Sequence, residues 1–453
     1  MTREELEKTH KDYAAAIDEW RFHLASYFGG RMYKDGDYLI AHPFESAANY
    51  RRRREISYYY NYCGPLVDIF VSHIFRKDAV RDYGSVANNA LFADFLRDAD
   101  FEGNSLRHFM RDAARYAAIY GRVSIVVDKP RSDTATLKEA IDGSIRPYVS
   151  LVTPENLLDW SYVRLSSGRE TLDMVKIREA DGLYRIWTAE SWELWRTGND
   201  GGGVEFIDGD YHGLGEVPLV NLYNKRTGAR MQGISDIRDI ADINKNIYYL
   251  CSDAKEIIEN TAFPMLAMPY TRAEGRDERE VGPHNIIQFD PSEPNARPYW
   301  LEPPHSSLTE IREWVRQDIA EIYRMARMGG VRTTEDFAAA RSGVAIDLEF
   351  QQLYAALSEK ADNIELAETR VMELWARWEG MVFDGKIDYP DDFSVKDIDR
   401  ELKNAFDALA SKVSSATFRK ELEKKVAATL LPKAGPGVMR LIESEIEGRP
   451  GVQ

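Results

Sequence analysis

Glu155 and Asp159 are the two carboxylates whose spacing most directly invites a catalytic interpretation. They stand four residues apart in the segment 153–160 (TPENLLDW), so a helix would place both on one face as a possible acid and base. The sequence around them supplies no nucleophile and no metal ligand. We therefore interpret this segment as a structural corner without a catalytic role.

The residue types that bind metals or form disulfides are dispersed along the chain. Cys63 and Cys251 belong to no CxxC motif, which predicts two reduced thiols and neither a disulfide nor a zinc site. The HExxH and GxSxG motifs do not occur. We expect no metal and no cofactor. The histidines lack ligand spacing and occur at His10, His23, His42, His73, His108, His212, His284 and His305.

Phosphate chemistry is also not indicated. The GxxxxGK[ST] loop is missing, and the glycine runs at 29–30, 201–203 and 329–330 lack the lysine and the strand-to-helix context, so ATP hydrolysis by that route is not expected. We expect no enzymatic activity. A DNA-processing enzyme, namely a metal-dependent nuclease with a helical arm, is the alternative that the abundant acidic residues leave open.

The charge balance disfavours an ordinary nucleic-acid binder. The net charge is −16, whereas such proteins gain affinity from Lys and Arg that neutralise phosphates. The four arginines at 51–54 would point in different directions on a helix, and Glu55 follows at once. We interpret them as a solvated or ion-paired face. No uninterrupted apolar stretch reaches the roughly 18 residues that span a bilayer, so we expect no membrane association.

The elements that must position these residues form an α+β fold that is mainly α. At 453 residues, two or more substructures are expected. Helical periodicity predicts helices at 2–28, 47–75 and 91–121, and a β-branched run predicts a strand at 123–127. Alternating segments from 148 to 207 then predict a small antiparallel meander.

Residues 233–380 are the stretch around which the chain is organised. A helix over 233–263 carries an apolar stripe, and Pro264 ends it. Short strands are predicted at 265–268 and 286–289. A capping box at 307–310 starts a second helix that ends at Gly329 and Gly330, and a third, longer helix covers 342–378. A strand at 386–389 and helices at 394–409, 415–430 and 438–447 follow.

This order of elements resembles the portal proteins of tailed bacteriophages, as do residues 50–61 (YRRRREISYYYN) and 340–346 (ARSGVAI). The resemblance covers nearly the whole chain. It implies a ring of about twelve subunits at a single capsid vertex, with a central channel for double-stranded DNA. Packaged and ejected DNA would pass through this channel, and the energy would come from a separate ATPase. A helical scaffold that forms filaments or coats is a further alternative.

The resemblance also implies a division into regions. These are a wing at 1–232, a first stem helix at 233–263, a clip at 264–306, a second stem helix at 307–329, a tunnel loop at 330–341, a long wing helix with a return strand at 342–392, and a crown at 393–453.

Candidate site residues follow from this division. In the stem, charged residues off the apolar stripe would face the bore or solvent: Asp239, Lys245, Arg316 and Arg324. In the clip, mixed charges would dock partners: Arg272, Glu274, Arg276 and Arg279. The tunnel loop would narrow the bore around DNA, with Arg332 near phosphate, through Val331, Arg332, Thr333, Thr334, Glu335, Asp336 and Phe337. On residues alone, a plain helical hairpin, an exposed loop and an ordinary connection remain open for these three segments.

The partners implied by the resemblance are other copies of the chain, double-stranded DNA, the terminase large subunit, the major capsid and scaffolding proteins, and a head-tail adaptor protein. The implied location is the portal vertex of the virion, after assembly in the host cytoplasm. The acidic composition agrees with a conduit, since a wall that repels a polyanion keeps DNA moving.

Overall fold

The computed structural model divides into two units, Met1–Phe393 and Ser394–Gln453. Both α-helices and β-strands are present and about half of the chain is helical, which agrees with the mixed class predicted from the sequence. The residues that the structure describes are 1–131, 143, 145–198, 203–262, 265–269, 287–289, 297, 299–301, 306–327, 343–391, 393, 403, 405–409, 415–431 and 436–448.

Short helices dominate the first 120 residues. Capping side chains start several of them, such as Ser105, whose hydroxyl accepts a hydrogen bond from the amide of His108. In chain order, the elements are α1 (Arg3–Glu7), α2 (Lys11–Phe28), α3 (Gly30–Asp35), α4 (Ala47–Ile56), α5 (Cys63–Ile74), the strand β1 (Val80–Asp82), a 3-10 helix (Gly84–Asn88), α6 (Phe92–Arg97) and α7 (Leu106–Tyr120).

Tertiary hydrogen bonds interrupt the long helices predicted in this region. Lys176 Nζ binds the carbonyl oxygens of Glu5 and Lys8 and so separates α1 from α2. The side chain of Asn244 binds the backbone of the extended segment 57–62, which separates α4 from α5. The amide of Val149 on the neighbouring sheet donates to the carbonyl of Ala99 at 2.9 Å, in the break between α6 and α7. The predictions of one continuous helix were therefore wrong for residues 2–28, 47–75 and 91–121.

Two antiparallel sheets follow. One has the strand order β3-β2-β9 and the other is a meander with the order β4-β5-β6-β7-β8. The predicted strands are present, whereas β4 and β9 had not been predicted. The strands are β2 (Arg122–Asp128), β3 (Tyr148–Val152), β4 (Leu157–Arg164), β5 (Glu170–Ala180), β6 (Leu183–Thr188), β7 (Ser191–Thr197), β8 (Val204–Tyr211) and β9 (Leu219–Tyr223).

The Glu155 and Asp159 carboxylates do not share a helical face. Asp159 lies on β4, and Glu155 lies in the turn that precedes it, where it accepts a hydrogen bond of 2.6 Å from the hydroxyl of Tyr120. The helical geometry considered for this pair is therefore wrong, because Glu155 lies in a turn and Asp159 lies on a strand. The interpretation of the segment as a corner is confirmed by the turn.

The central elements include the two longest helices of the chain's described part. Between the first two of these helices, the chain forms a small three-stranded sheet. In this sheet β10 pairs parallel with β11 and antiparallel with β12. The strand β13 pairs with β1. The elements are α8 (Arg238–Ala262), β10 (Met265–Pro269), β11 (Ile287–Phe289), β12 (Tyr299–Leu301), α9 (Ser306–Met325), α10 (Gly343–Trp378) and β13 (Lys386–Asp388).

Helix α10 connects the first helices and the sheet through one core. Trp375 is fully buried, and its ring lies 5.0 Å from that of Phe92 and 5.7 Å from that of Phe95. The buried carboxylate of Glu368 pairs with Arg81 on β1 at 2.6 Å. The indole of Trp378 donates to the carbonyl of Val127 on β2 at 2.8 Å. Aromatic packing and paired polar groups thus fix α10 in place.

The second unit contains α11 (Ala416–Leu430) and α12 (Pro436–Gly448), as predicted apart from the boundaries. The hydroxyl of Ser415 caps α11. Lys424 pairs with Glu421 at 2.8 Å and with Glu447 of α12 at 2.9 Å. Most of the helix predicted at 394–409 lies outside the described residues. None of the helices in the described part of the chain combines the length and the apolar character needed to cross a bilayer.

Three members of the arginine run at 51–54 are ion-paired, namely Arg52, Arg53 and Arg54, and one of these is not solvated. Arg53 is buried, and its guanidinium donates two hydrogen bonds to Glu45, at 2.8 and 2.9 Å, and one to Ser252 on α8 at 3.0 Å. This contact attaches α4 to α8. The hydrogen bonds from Arg53 lower the pKa of Glu45 below its ordinary 4.5, whereas burial raises the pKa values of Asp253 and Glu256 nearby.

Glu45→Gln should lower the free energy of unfolding by about 3 kcal/mol at neutral pH, because it removes the carboxylate that accepts two hydrogen bonds from the buried Arg53 and leaves only the more distant Asp253, at 3.8 Å. Since the folded pKa of Glu45 is lowered, the stabilisation is complete above 4.5, its unfolded value, and is lost as the pH falls through the folded pKa. Denaturant unfolding of wild type and variant at several pH values would measure this difference.

The matched control is Asp35→Asn, which removes an exposed ion pair with Arg31 and should cost less than about 1 kcal/mol. Equal losses for the two variants at neutral pH would contradict the role of Arg53.

Candidate functional site

The candidate site is the hairpin formed by α8 and α9. The two helices are joined through a small sheet, in which β10, after α8, pairs antiparallel with β12, before α9. A hydrogen bond of 2.7 Å from Asn246 to Asp318 joins the two helices. Ile322 of α9 is buried, as are Ile237 beside the start of α8 and Ile240 and Ile247 within it. Apolar packing on one side and a polar contact on the other therefore set the hairpin's register.

The hairpin begins at a buried polar junction. Lys360 of α10 donates to both carboxylate oxygens of Asp236, at 2.5 and 2.7 Å, and to the side-chain oxygen of Asn224 at 2.5 Å. Asn224 in turn donates to Asp236 at 2.9 Å and to the carbonyl of Ile234 at 3.0 Å. The side chains of Lys360 and Asp236 are each only 12% exposed. The ion pair thus connects α10, the end of β9 and the approach to α8.

Two glycines allow the chain to enter α8 at this junction. A Cβ atom at Gly233 would lie 2.0 Å from the carbonyl oxygen of Gly121, and one at Gly121 would lie 2.4 Å from that of Gly233. Gly121 also has a φ of +87°, which favours glycine. Beyond them, the Ser235 hydroxyl accepts from the amide of Ile237 at 3.1 Å. The predicted start of the helix at 233 was therefore too early by several residues.

A second junction lies one to two turns further along α8. Asn244 is fully buried and donates to the carbonyl of Tyr60 at 2.8 Å, while its side-chain oxygen accepts from the amide of Tyr62 and the hydroxyl of Tyr59. The ring of Tyr59 stacks on that of Tyr33 at 3.8 Å. Burial raises the pKa of Tyr59 far above its ordinary value, so this hydroxyl stays protonated and donates. Together with Arg53, these contacts orient α8.

The four predicted stem residues are distributed along the hairpin, and each has a neighbour close by. Asp239 is exposed and lies 3.3 Å from Arg238. The ammonium of Lys245 lies 5.5 Å from the ring centroid of Phe22. Arg316 pairs with Glu313 at 3.2 Å, and Arg324 pairs with Glu321 at 2.6 Å. A single chain therefore does not gather them into one cluster, and their role in a channel stays a prediction.

The remaining predicted site residues lie outside the described part of the chain. These are the clip residues Arg272, Glu274, Arg276 and Arg279 and the tunnel-loop residues Val331, Arg332, Thr333, Thr334, Glu335, Asp336 and Phe337. Among the described residues, no group of three or more His, Cys, Asp or Glu side chains is placed to hold a metal ion.

Sequence reasoning missed the polar residues that hold the hairpin. The helical periodicity of 342–378 did not distinguish Lys360 from the other polar residues of that helix, and the periodicity of 233–263 did not distinguish Asn244. The residues they bind are 124 and 184 positions away in the chain. The one local signal was the interruption of each apolar helix by a polar residue on its core-facing side.

Comparisons with known proteins identify the family. The sequence matches a family model described as phage portal protein, SPP1 Gp6-like, over residues 27–424. A search of curated proteins gave no match.

Three of the solved structures that match this chain are of gene transfer agent (GTA) particles. The neck of an empty particle computed with C6 symmetry has 12% identity and a TM-score of 0.42, covering 79% of this chain and 88% of that one. The virion of a native particle has 14% identity and a TM-score of 0.43, with the same coverage. The neck of a native particle computed with C12 symmetry has 12% identity and a TM-score of 0.42, and the match covers 92% of this chain and 94% of that one.

The resemblance found in the sequence is thus confirmed by the family model, which covers most of the chain. This protein belongs to the SPP1 Gp6-like family of phage portal proteins.

Proposed function

We propose that about twelve copies of this chain form a ring at one vertex of a phage capsid and that double-stranded DNA passes through its centre. In this proposal the α8–α9 hairpin of each subunit is one segment of the channel wall. The family supports a structural role, because portal proteins form part of the particle and are not enzymes.

One observation in the structure carries the ring proposal. In the described part of α9, Ile322 is buried, whereas residues 307–321 are half-buried or exposed. Trp314 is 56% exposed at the middle of this helix. A helix gains most of its stability in proteins from packing its apolar face, and α9 packs only part of it within one chain. In the proposed ring, neighbouring copies of the hairpin pack against the remaining apolar surface of α9.

The dimensions and charge of the hairpin suit a channel segment. Helix α8 has 25 residues, which corresponds to about 37 Å at 1.5 Å per residue. Its exposed side carries Asp239 and Asp242, while the exposed side of α9 carries arginines together with glutamates. Mixed charge attracts DNA less than a uniformly basic surface does, so a strand can slide along it.

The remaining assignments belong to the same proposal. Residues 264–306 would form the clip that binds the terminase large subunit during packaging and a head-tail adaptor protein afterwards. Residues 330–341 would form the tunnel loop, 393–453 the crown, and 1–232 with 342–392 the wing. The ring would also contact the major capsid and scaffolding proteins during assembly in the host cytoplasm. The finished ring would reside in the virion.

A channel segment must keep its direction while DNA moves past it. The junction of Lys360, Asp236 and Asn224 is suited to this task, because it fixes the start of α8 to the long helix α10 and to β9. Buried ion pairs are strong constraints on geometry when every polar atom has a partner.

The purified protein should sediment as a particle of about twelve times the subunit mass of 51.8 kDa, and end-on electron micrographs should show a central opening. Sedimentation velocity with negative-stain imaging measures both properties. A monomer at every concentration would contradict the proposal, and a monomer that cleaves DNA with added Mg²⁺ would favour a nuclease instead.

Lys360→Met should lower the free energy of unfolding by about 3 kcal/mol or more, because it leaves the Asp236 carboxylate buried without its cation. The matched control is Lys386→Met, whose ion pair with Asp388 is exposed and should contribute less than about 1 kcal/mol. Denaturant unfolding of both variants measures the difference. A similar small loss in both would show that the junction does not stabilise the hairpin.

A further inference from the structure

The junction at the start of the hairpin brings an amine, a carboxamide and a carboxylate into mutual contact. The nitrogen of Lys360 donates to the side-chain oxygen of Asn224 at 2.5 Å and to both carboxylate oxygens of Asp236, at 2.5 and 2.7 Å. The carboxamide nitrogen of Asn224 donates to the same carboxylate at 2.9 Å. Each of the three groups therefore touches the other two, which is a closer arrangement than an ion pair requires.

A further hydrogen bond fixes the orientation of the Asn224 carboxamide. Its nitrogen also donates to the carbonyl of Ile234 at 3.0 Å, so the oxygen is the end that faces Lys360. The carboxamide carbon, Cγ, lies one C=O bond beyond that oxygen and is thus within about 4 Å of the lysine nitrogen. A nucleophile and a carbonyl carbon held at this separation need little movement to react.

Apolar side chains enclose the junction. Asn224 is 6% exposed, and the side chains of Lys360 and Asp236 are each 12% exposed. Phe70 and Ile364 are among the apolar residues that line a cavity beside all three groups, and the ring centroid of Phe70 lies 5.6 Å from the lysine nitrogen. The enclosure keeps bulk water from the carboxamide, so the lysine is the nucleophile closest to it.

We propose that Lys360 and Asn224 react to form an isopeptide bond, with Asp236 as the proton carrier. The lysine nitrogen forms a bond to Cγ of Asn224, and the bond from Cγ to Nδ2 breaks. The products are a secondary amide and one ammonium ion. One C–N bond replaces another, so the reaction needs no oxidant, reductant or co-reactant.

The contacts of Asp236 with both nitrogens suit it to carry the protons. Its carboxylate takes a proton from the lysine ammonium, which frees the lone pair that attacks Cγ. It then gives this proton to Nδ2 in the tetrahedral intermediate, so that this nitrogen can leave. The second proton released by the lysine follows the same path. The leaving nitrogen therefore departs as ammonium, and the carboxylate is restored.

The bond joins the end of β9 to α10 within one chain. The two residues are 136 positions apart, and the loop that the bond closes contains both α8 and α9. An ion pair can open and close, whereas an amide bond makes the attachment permanent. The inference goes beyond the proposed function and does not depend on it, because the reaction takes place in a single subunit whether or not a ring forms.

The mass of the intact wild-type chain, measured after denaturation, tests the bond without any substitution. It should be lower than the mass calculated from the sequence by one molecule of ammonia. A tryptic digest should contain the peptides 197–225 and 342–370 joined as one branched species, through Asn224 and Lys360. A chain of the full calculated mass, or a loss of ammonia without the branched species, would overturn the inference.

Substitutions test the role of each residue, in variants whose circular dichroism matches that of wild type. Lys360→Arg keeps a cation beside Asp236 but removes the amine, and Asp236→Ala removes the proton carrier, so both should have the full calculated mass. The matched control is Lys386→Arg, at the exposed pair with Asp388, which should lose ammonia like wild type. The branched species in Asp236→Ala at the wild-type yield, or loss of ammonia from Lys360→Arg, would contradict the assigned roles.

Discussion

The incomplete cover of α9 is the constraint on which the rest of the structure depends. Val315, Ile319 and Ile322 pack against the core, while Trp314 and a row of charged residues are exposed. A helix in water is stabilised mainly by the surface it packs, and α9 packs only part of its apolar surface within a single chain. The chain belongs to a portal family, and in the ring proposed above neighbouring subunits would supply the missing cover.

Its partner α8 is held by buried polar contacts at three heights. The Lys360 and Asp236 pair fixes the start of α8, Asn244 binds the segment 57–62, and Arg53 reaches Ser252 and Glu45. Each of these groups is costly to bury unless it is paired, so the contacts tolerate little displacement. Helix α8 is thus anchored by buried polar groups, whereas α9 keeps a large exposed apolar side chain, Trp314.

The sequence was most informative where apolar periodicity is long and regular. Helix α10 was predicted at 342–378 and observed at Gly343–Trp378, because a seam from Leu353 to Trp375 is buried throughout. It was least informative where a polar group ends or redirects an element. Lys176 stops α1 and Asn244 holds the break after α4, and neither effect is visible locally, since the bonded residues are far apart in the chain. The same reason hid the burial of Arg53 within a run of four arginines.

The central claim is that neighbouring subunits complete the packing of α9, and hydrogen exchange tests it most directly. Backbone amides of residues 306–325 should exchange at least tenfold more slowly in the assembled protein than in subunits dissociated by an assembly-defective variant. The amides of α7, which are buried within one chain, serve as the internal reference and should exchange alike in both samples. Equal exchange of α9 in the assembled and dissociated states would contradict the account.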